Sequence, residues 1–156
     1  IYPASERVEE AQYKIGESNY QQMRNPQLDQ KETYETLIAF RNFIEENPSS
    51  PKVEIARERI SECRENLAEK LYHTAYLYQR QGYLKAARIS FSDLVRDYVD
   101  TSWYYRTLFH LGEIARDKDE KETAVQYWKE VLQDSEDTEL KTEVEEALSK
   151  LSEPVG

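Results

Sequence analysis

A chain of 156 residues fits one domain or a short array of repeats and leaves little room for two unrelated domains. Four Gly and five Pro fall far below ordinary usage, while Glu, Lys, Arg, Gln, Leu and Ala abound. Turn-rich β-sandwiches and Rossmann-like α/β folds are thereby disfavoured, and a helical protein is left. The formal charge of −10 argues against a nucleic-acid partner, which needs Lys and Arg gathered on one face. Twelve Tyr supply more packing material than a disordered chain carries. The charge is uneven: residues 117–156 hold 13 acids against 5 Lys, and residues 1–116 hold 18 acids against 16 bases, so the C-terminal end is an acidic module. A single Cys63 excludes an intrachain disulfide. No apolar run approaches the roughly 20 residues of a membrane span. Ile1 begins in mid-pattern without Met, signal peptide or lipidation motif, so a fragment of a longer protein is expected.

Pro3 opens a first helical stretch, predicted at 4–22, and the sequence around Pro26 separates it from a second at 32–46. Pro48 and Pro51 bracket the next break, after which a helix is predicted over 52–81. Its apolar residues Ala56, Ile60, Cys63, Leu67, Leu71, Thr74 or Ala75, and Tyr78 step by three and four, a single stripe about eight turns long. A coiled coil is the rival reading, weakened because Tyr76, Leu77 and Ala75 widen the stripe beyond a narrow seam, as a helix packed on two neighbours requires. Gly82 ends this run, and further helices are predicted at 84–98, 103–117, 121–133 and 138–151. Asp137 or Thr138 caps the last, with acids favourably placed near its N-terminus.

Internal similarity sharpens the reading. Leu71, Ala75, Tyr78, Gly82, Ala87, Phe91 and Leu94 recur as Leu108, Gly112, Ala115, Asp119, Ala124, Trp128 and Val131, every spacing the same and the offset a constant 37. This register resembles that of a tetratricopeptide repeat. Small residues at Ala75/Gly112 and Ala87/Ala124 allow two helices to approach, and the ring at Phe91/Trp128 fills the space beyond. A stretched third copy uses Gln12, Ile15, Gly16 and Asn19, then Phe40 and Phe43, with an insertion at 25–31. The expected architecture is an all-α, right-handed α-solenoid of about seven antiparallel helices with one long connecting helix. A single superhelical domain over 1–156 is expected, with repeats near 4–48, 52–98 and 103–133 and a C-terminal helix at 138–151.

Catalytic chemistry finds little support. His73 and His110 lie in predicted helices, with no nucleophile elbow and no Gly-rich phosphate loop, so an exposed or helix-packing His outweighs a catalytic one. Cys63 falls on the apolar stripe, where a buried small hydrophobe is the default. Asp134, Glu136, Thr138 and Glu145 match a calcium-loop spacing, but Glu139 stands where Gly is needed, so no metal is expected. No cofactor is implied either. Tyr and Phe are interleaved with Arg over 72–109, but Tyr78, Tyr83, Phe91 and Phe109 fall on repeat positions that form the core. The surplus rings Trp103, Tyr104 and Tyr105, with Arg88, Arg96 and Arg106, form the kind of aromatic and Arg cluster that anchors protein–protein interfaces.

The linkers narrow the resemblance. Asn19-Tyr20-Gln21-Gln22, Leu28-Asp29-Gln30, Ala39-Phe40-Arg41-Asn42-Phe43-Ile44 and Asn47-Pro48-Ser49-Ser50 resemble, in order, the third repeat of the BamD family of outer-membrane assembly lipoproteins. Ala56-Arg57-Glu58-Arg59-Ile60, Gly82-Tyr83-Leu84-Lys85-Ala86-Ala87-Arg88 and Arg96-Asp97-Tyr98-Val99-Asp100-Thr101 look like its connecting helix and fourth repeat. The resemblance covers about residues 1–133. It implies the C-terminal half of a periplasmic protein held to the outer membrane by an N-terminal lipid. The implied role is a non-catalytic scaffold of the β-barrel assembly (BAM) complex, docked on the POTRA region of BamA, with other BAM lipoproteins and unfolded outer-membrane proteins as further partners. Ser90 stands where the family usually carries Arg, and Val99 replaces its usual Pro. Arg88, Arg96, Trp103, Tyr104, Tyr105 and Arg106 are the expected partner-binding residues. The competing reading is a tetratricopeptide adaptor of the cell envelope that captures an extended peptide.

Overall fold

The computed structural model describes residues 2–23 and 30–152, and among them every regular element is an α-helix. In order these are α1 Tyr2–Met23, α2 Gln30–Glu46, α3 Val53–Arg80, α4 Leu84–Asp97, α5 Tyr104–Asp117, α6 Lys121–Asp134 and α7 Thr138–Ser152. Each lies within two residues of its predicted span. The differences have local causes. Tyr98 leaves the helical region at ψ 38° while its N–H still reaches the Leu94 carbonyl, which closes α4 one residue early. Asp137, rather than Thr138, caps α7: Leu140 N–H donates to Asp137 Oδ1 at 2.9 Å. Most of the 25–31 insertion lies outside the described residues.

The chain divides into two compact units, Ile1–Leu67 and Ala68–Gly156, with the boundary inside α3. In the first, α1 and α2 form an antiparallel hairpin. Gly16 lies against Phe40, and a Cβ on Gly16 would fall 2.8 Å from the Phe40 ring. Phe40 and Phe43 are fully buried, and Tyr13 meets both edge-on at 6.0 and 5.5 Å. α1 also runs alongside residues 53–67 of α3. Glu10 pairs with Lys52, Glu17 with Arg59 at 3.0 Å, Tyr20 with Glu62, and Met23 with Cys63 at 3.5 Å. Separations of 42, 42, 42 and 40 residues advance together along both helices, so the two are parallel, one repeat apart.

In the second unit residues 68–80 of α3 and α4 form one hairpin, α5 and α6 the next, and α7 packs on α6 and α5. The two turns are the same structure. Gly82 at φ 81° and Asp119 at φ 60° carry the positive φ found among the described residues, and they occupy the same repeat position. Tyr83 N–H reaches the Tyr78 carbonyl and Glu120 N–H the Ala115 carbonyl, both at 2.9 Å, the closure of a Schellman motif. One buried cluster holds Ala75, Ala87, Phe91, Leu94, Leu108, Ala115, Ala124, Trp128 and Val131 of the predicted repeat set, while Leu71 and Tyr78 pack against it only partly buried. Trp128 packs so closely on Gly112 that a Cβ there would lie 2.6 Å from the indole Cδ1, and its Nε1–H donates to the Phe109 carbonyl at 3.1 Å.

Two side chains lie outside the core where the sequence placed them in it. Tyr83 is not core but 62% exposed, because it stands just beyond the positive-φ turn residue, where its side chain leaves the hairpin. Leu77 does not widen the buried stripe of α3: it follows Ala75 by two residues, about 200° around the helix, and faces solvent. Tyr76 is partly exposed and lays its ring on Tyr72 and, at 5.2 Å, against His110 of α5. Ala68 and Tyr72 widen the stripe instead.

Candidate functional site

Trp103 precedes α5 and Tyr104, Tyr105 and Arg106 open it, so their side chains fan around one turn. Trp103 is half-buried, its ring centroid 4.8 Å from that of Tyr72 and 5.5 Å from that of His73. Tyr104 turns to α6, its hydroxyl donating to Glu130 at 2.7 Å. Burial and that carboxylate push the phenol above its ordinary range. Tyr105 meets Tyr104 edge-on at 5.1 Å. Arg106 faces α7, 3.4 Å from both Asp137 and Glu143. Arg88 and Arg96 lie apart from this turn, on α4. Arg88 makes a two-pronged ion pair with Glu120 at 2.9 and 2.7 Å, which stitches α4 to the α5–α6 turn. Arg96 pairs with Asp93 and Asp97 of its own helix and keeps a side chain 67% exposed. The structure thus brings Trp103 to Arg106 together and gives most of the predicted cluster intramolecular partners. Arg96 spans no two helices.

Beside Trp103 lies a buried polar chain that no motif marks. His110 Nε2 is 2.8 Å from the Tyr72 hydroxyl, its Nδ1 is 2.8 Å from Glu113 Oε2, and Gln79 Nε2 donates to the same carboxylate oxygen at 3.2 Å. Phe91 stacks on the imidazole at 5.4 Å and 8°. A carboxylate at Nδ1 requires a proton on that nitrogen, so in the neutral ring Nε2 accepts from the Tyr72 hydroxyl. Burial pushes the Tyr72 phenol up to about 12. Burial also pushes Glu113 upward, but the hydrogen bonds from His110 and Gln79 and the charge of Arg116 outweigh it and hold the carboxyl below its usual value. Tyr72 and Gln79 stand on α3, His110 and Glu113 on α5, so the chain of bonds fixes the register of two parallel helices. His110 is therefore the helix-packing His of the two sequence alternatives and His73 the exposed one. The 3.6-residue spacing of Leu71, Ala75 and Tyr78 places Tyr72 next to the stripe, but its partner 38 residues away is visible only once the repeat offset is known.

Cys63 is fully buried, and burial pushes its thiol up to about 12, which removes the thiolate a nucleophile needs. Among the described residues no group of three or more His, Cys, Asp or Glu is placed to hold a metal ion. Asp134, Glu136, Thr138 and Glu145 are spread over the end of α6 and the length of α7. No helix of the described residues is long and apolar enough to cross a membrane.

No curated protein matches the chain. A family model does: that of the outer membrane lipoprotein family YfiO, over residues 1–130. The match takes in α1 to α5 and most of α6, including the two hairpins whose turns share one hydrogen-bond pattern, and leaves α7 outside. With most of its length covered, the chain belongs to the YfiO family of outer membrane lipoproteins.

Proposed function

We propose that this chain is a BamD-type subunit of the outer-membrane β-barrel assembly machinery, a non-catalytic scaffold that docks on the POTRA region of BamA at the periplasmic face of the outer membrane. The observation that supports the reading is the family match over residues 1–130, which spans the paired helices and the linkers on which the BamD resemblance rests. In this reading the full protein is held to the membrane by a lipid, and its work is to position BamA, other lipoproteins and unfolded barrel proteins.

For the docking residues, the 67% exposure of Arg96, whose ion pairs stay within its own helix, and the half-buried ring of Trp103 favour these two as direct contacts. Arg88, Tyr104 and Arg106 act by holding α4 and α5 in place, and Tyr105 by its edge-on contact with Tyr104. Aromatic and Arg side chains with free area are what interface anchors require. The reading is tested by co-isolation: affinity-tagged chain expressed in the periplasm of its own organism brings down BamA, and Arg96→Glu reduces the yield without changing the amount of folded chain. Absence of BamA from the eluate with folded chain present contradicts it.

A further inference from the structure

The two hairpins of the second unit share one register, 37 residues apart, so a position that differs in kind between them is not dictated by the hairpin. Core positions agree: Ala87 with Ala124, Phe91 with Trp128, Leu94 with Val131. The outer positions do not. α6 is entered through Glu120-Lys121-Glu122 and carries Gln126 a turn later, whereas α4 has Tyr83-Leu84-Lys85 and Ile89 at the same places. Tyr83 is 62% and Ile89 56% exposed, so apolar surface meets solvent where the sister hairpin presents Glu and Gln. The fold tolerates polar residues there, as α6 demonstrates, and leaves more than half of each of these two side chains in solvent.

Tyr83, Leu84 and Ile89, with Tyr78 behind them, line a shallow groove, wide open to solvent, at the α3–α4 turn. Gly82 keeps the turn bare: a Cβ there would meet nothing within 4 Å, and the positive φ favours glycine. Lys85 and Lys118 also line the groove; among the described residues Lys85 makes no ion pair, while the charge of Lys118 also acts on Glu120. In a chain of net charge −10 the surrounding field repels anions, so these two cations beside an apolar concavity single out where an acidic group is attracted. Concavity matters to the choice of occupant. A groove receives a protruding side chain, while a bilayer is entered by side chains that protrude from the protein.

We propose that this groove docks an acidic peptide segment of another protein, which seats a large apolar side chain against Tyr83 and Ile89 and sets carboxylates at Lys85 and Lys118. The inference does not rest on the BamA reading and survives its failure. The test uses a random peptide display library selected against the immobilised chain, with recovered peptides labelled and titrated by fluorescence anisotropy. The recovered sequences are expected to combine Asp or Glu with Phe, Leu or Trp and to lose affinity as salt rises. The double variant Tyr83→Glu, Ile89→Gln installs the residues that the sister hairpin already carries, so it folds, as circular dichroism checks. It should weaken binding about tenfold or more, as loss of an anchor does, and Lys85→Glu should weaken it severalfold. Four results overturn the proposal: no recovered binder, binders that are basic or uncharged, affinity unchanged in both variants, or a groove occupied otherwise. The last would show as a concentration-dependent dimer, or as co-sedimentation with phosphatidylglycerol vesicles, that the double variant abolishes.

Discussion

Gly112 and Trp128 face each other across the α5–α6 hairpin with no space for a methyl group between them, since a Cβ on Gly112 would lie 2.6 Å from the indole Cδ1. The equivalent pair in the preceding hairpin is Ala75 and Phe91, where a smaller ring admits the Cβ. Gly112→Ala should therefore destabilise the protein by about 1–3 kcal/mol, the usual cost of overpacking, read as a shift of the urea midpoint at constant slope. Ala75→Gly should cost only about 0.5–1 kcal/mol through helix propensity. Equal effects of the two would contradict the packing described here.

The turn residues give a second contrast. Gly82 and Asp119 hold the same positive-φ position, at 81° and 60°. Gly82→Ala adds a Cβ that meets nothing but must adopt a left-handed backbone, and should cost about 1 kcal/mol. Asp119→Gly relieves that strain and should leave the thermal midpoint level or higher. A lower midpoint for Asp119→Gly would show that its side chain contributes more than the backbone conformation costs.

Glu113 makes stability depend on pH in a stated direction. Its carboxyl is held below the ordinary 4.5 in the folded chain. The charged form is therefore favoured by folding, and the contribution is fully present above pH 4.5 and lost as pH falls through the folded value. Glu113→Gln should flatten the acid side of the stability profile relative to the parent. Glu10, Glu120 and Asp137 are also held low, so a reduced slope, not a flat profile, is expected. An unchanged slope would mean that His110 and Gln79 do not favour the carboxylate.

Cys63 should report on the first unit. Fully buried beside Met23, with its thiol pushed up to about 12, it should resist iodoacetamide in native conditions and react readily in urea. Fast labelling of the native chain would show that α1 opens away from α3.

The helices and their repeat register are legible in the sequence because both rest on short-range spacing: Leu71, Ala75 and Tyr78 on one helix, Gly82 in its turn, Ala87, Phe91 and Leu94 on the next. Exposure is less legible. Tyr83 carries a core-like side chain at a position that the fold turns outward, and only the Glu at the equivalent position 120 gives this away. The candidate site is legible in part. The run from Trp103 to Arg106 is gathered at one helix end, as the sequence suggests, but the pairing of Arg88 with Glu120 and of Arg106 with Asp137 and Glu143 joins residues 31 to 37 apart. Such pairs depend on which faces neighbouring helices present, which spacing within one helix does not specify.

The proposed scaffold role is decided by titration calorimetry of the chain against the isolated POTRA domains of BamA from the same organism. Saturable binding that weakens as salt rises, and weakens further in Arg96→Glu, is the expected result. A folded chain that releases no heat and shows no binding to the POTRA domains at any salt would contradict it.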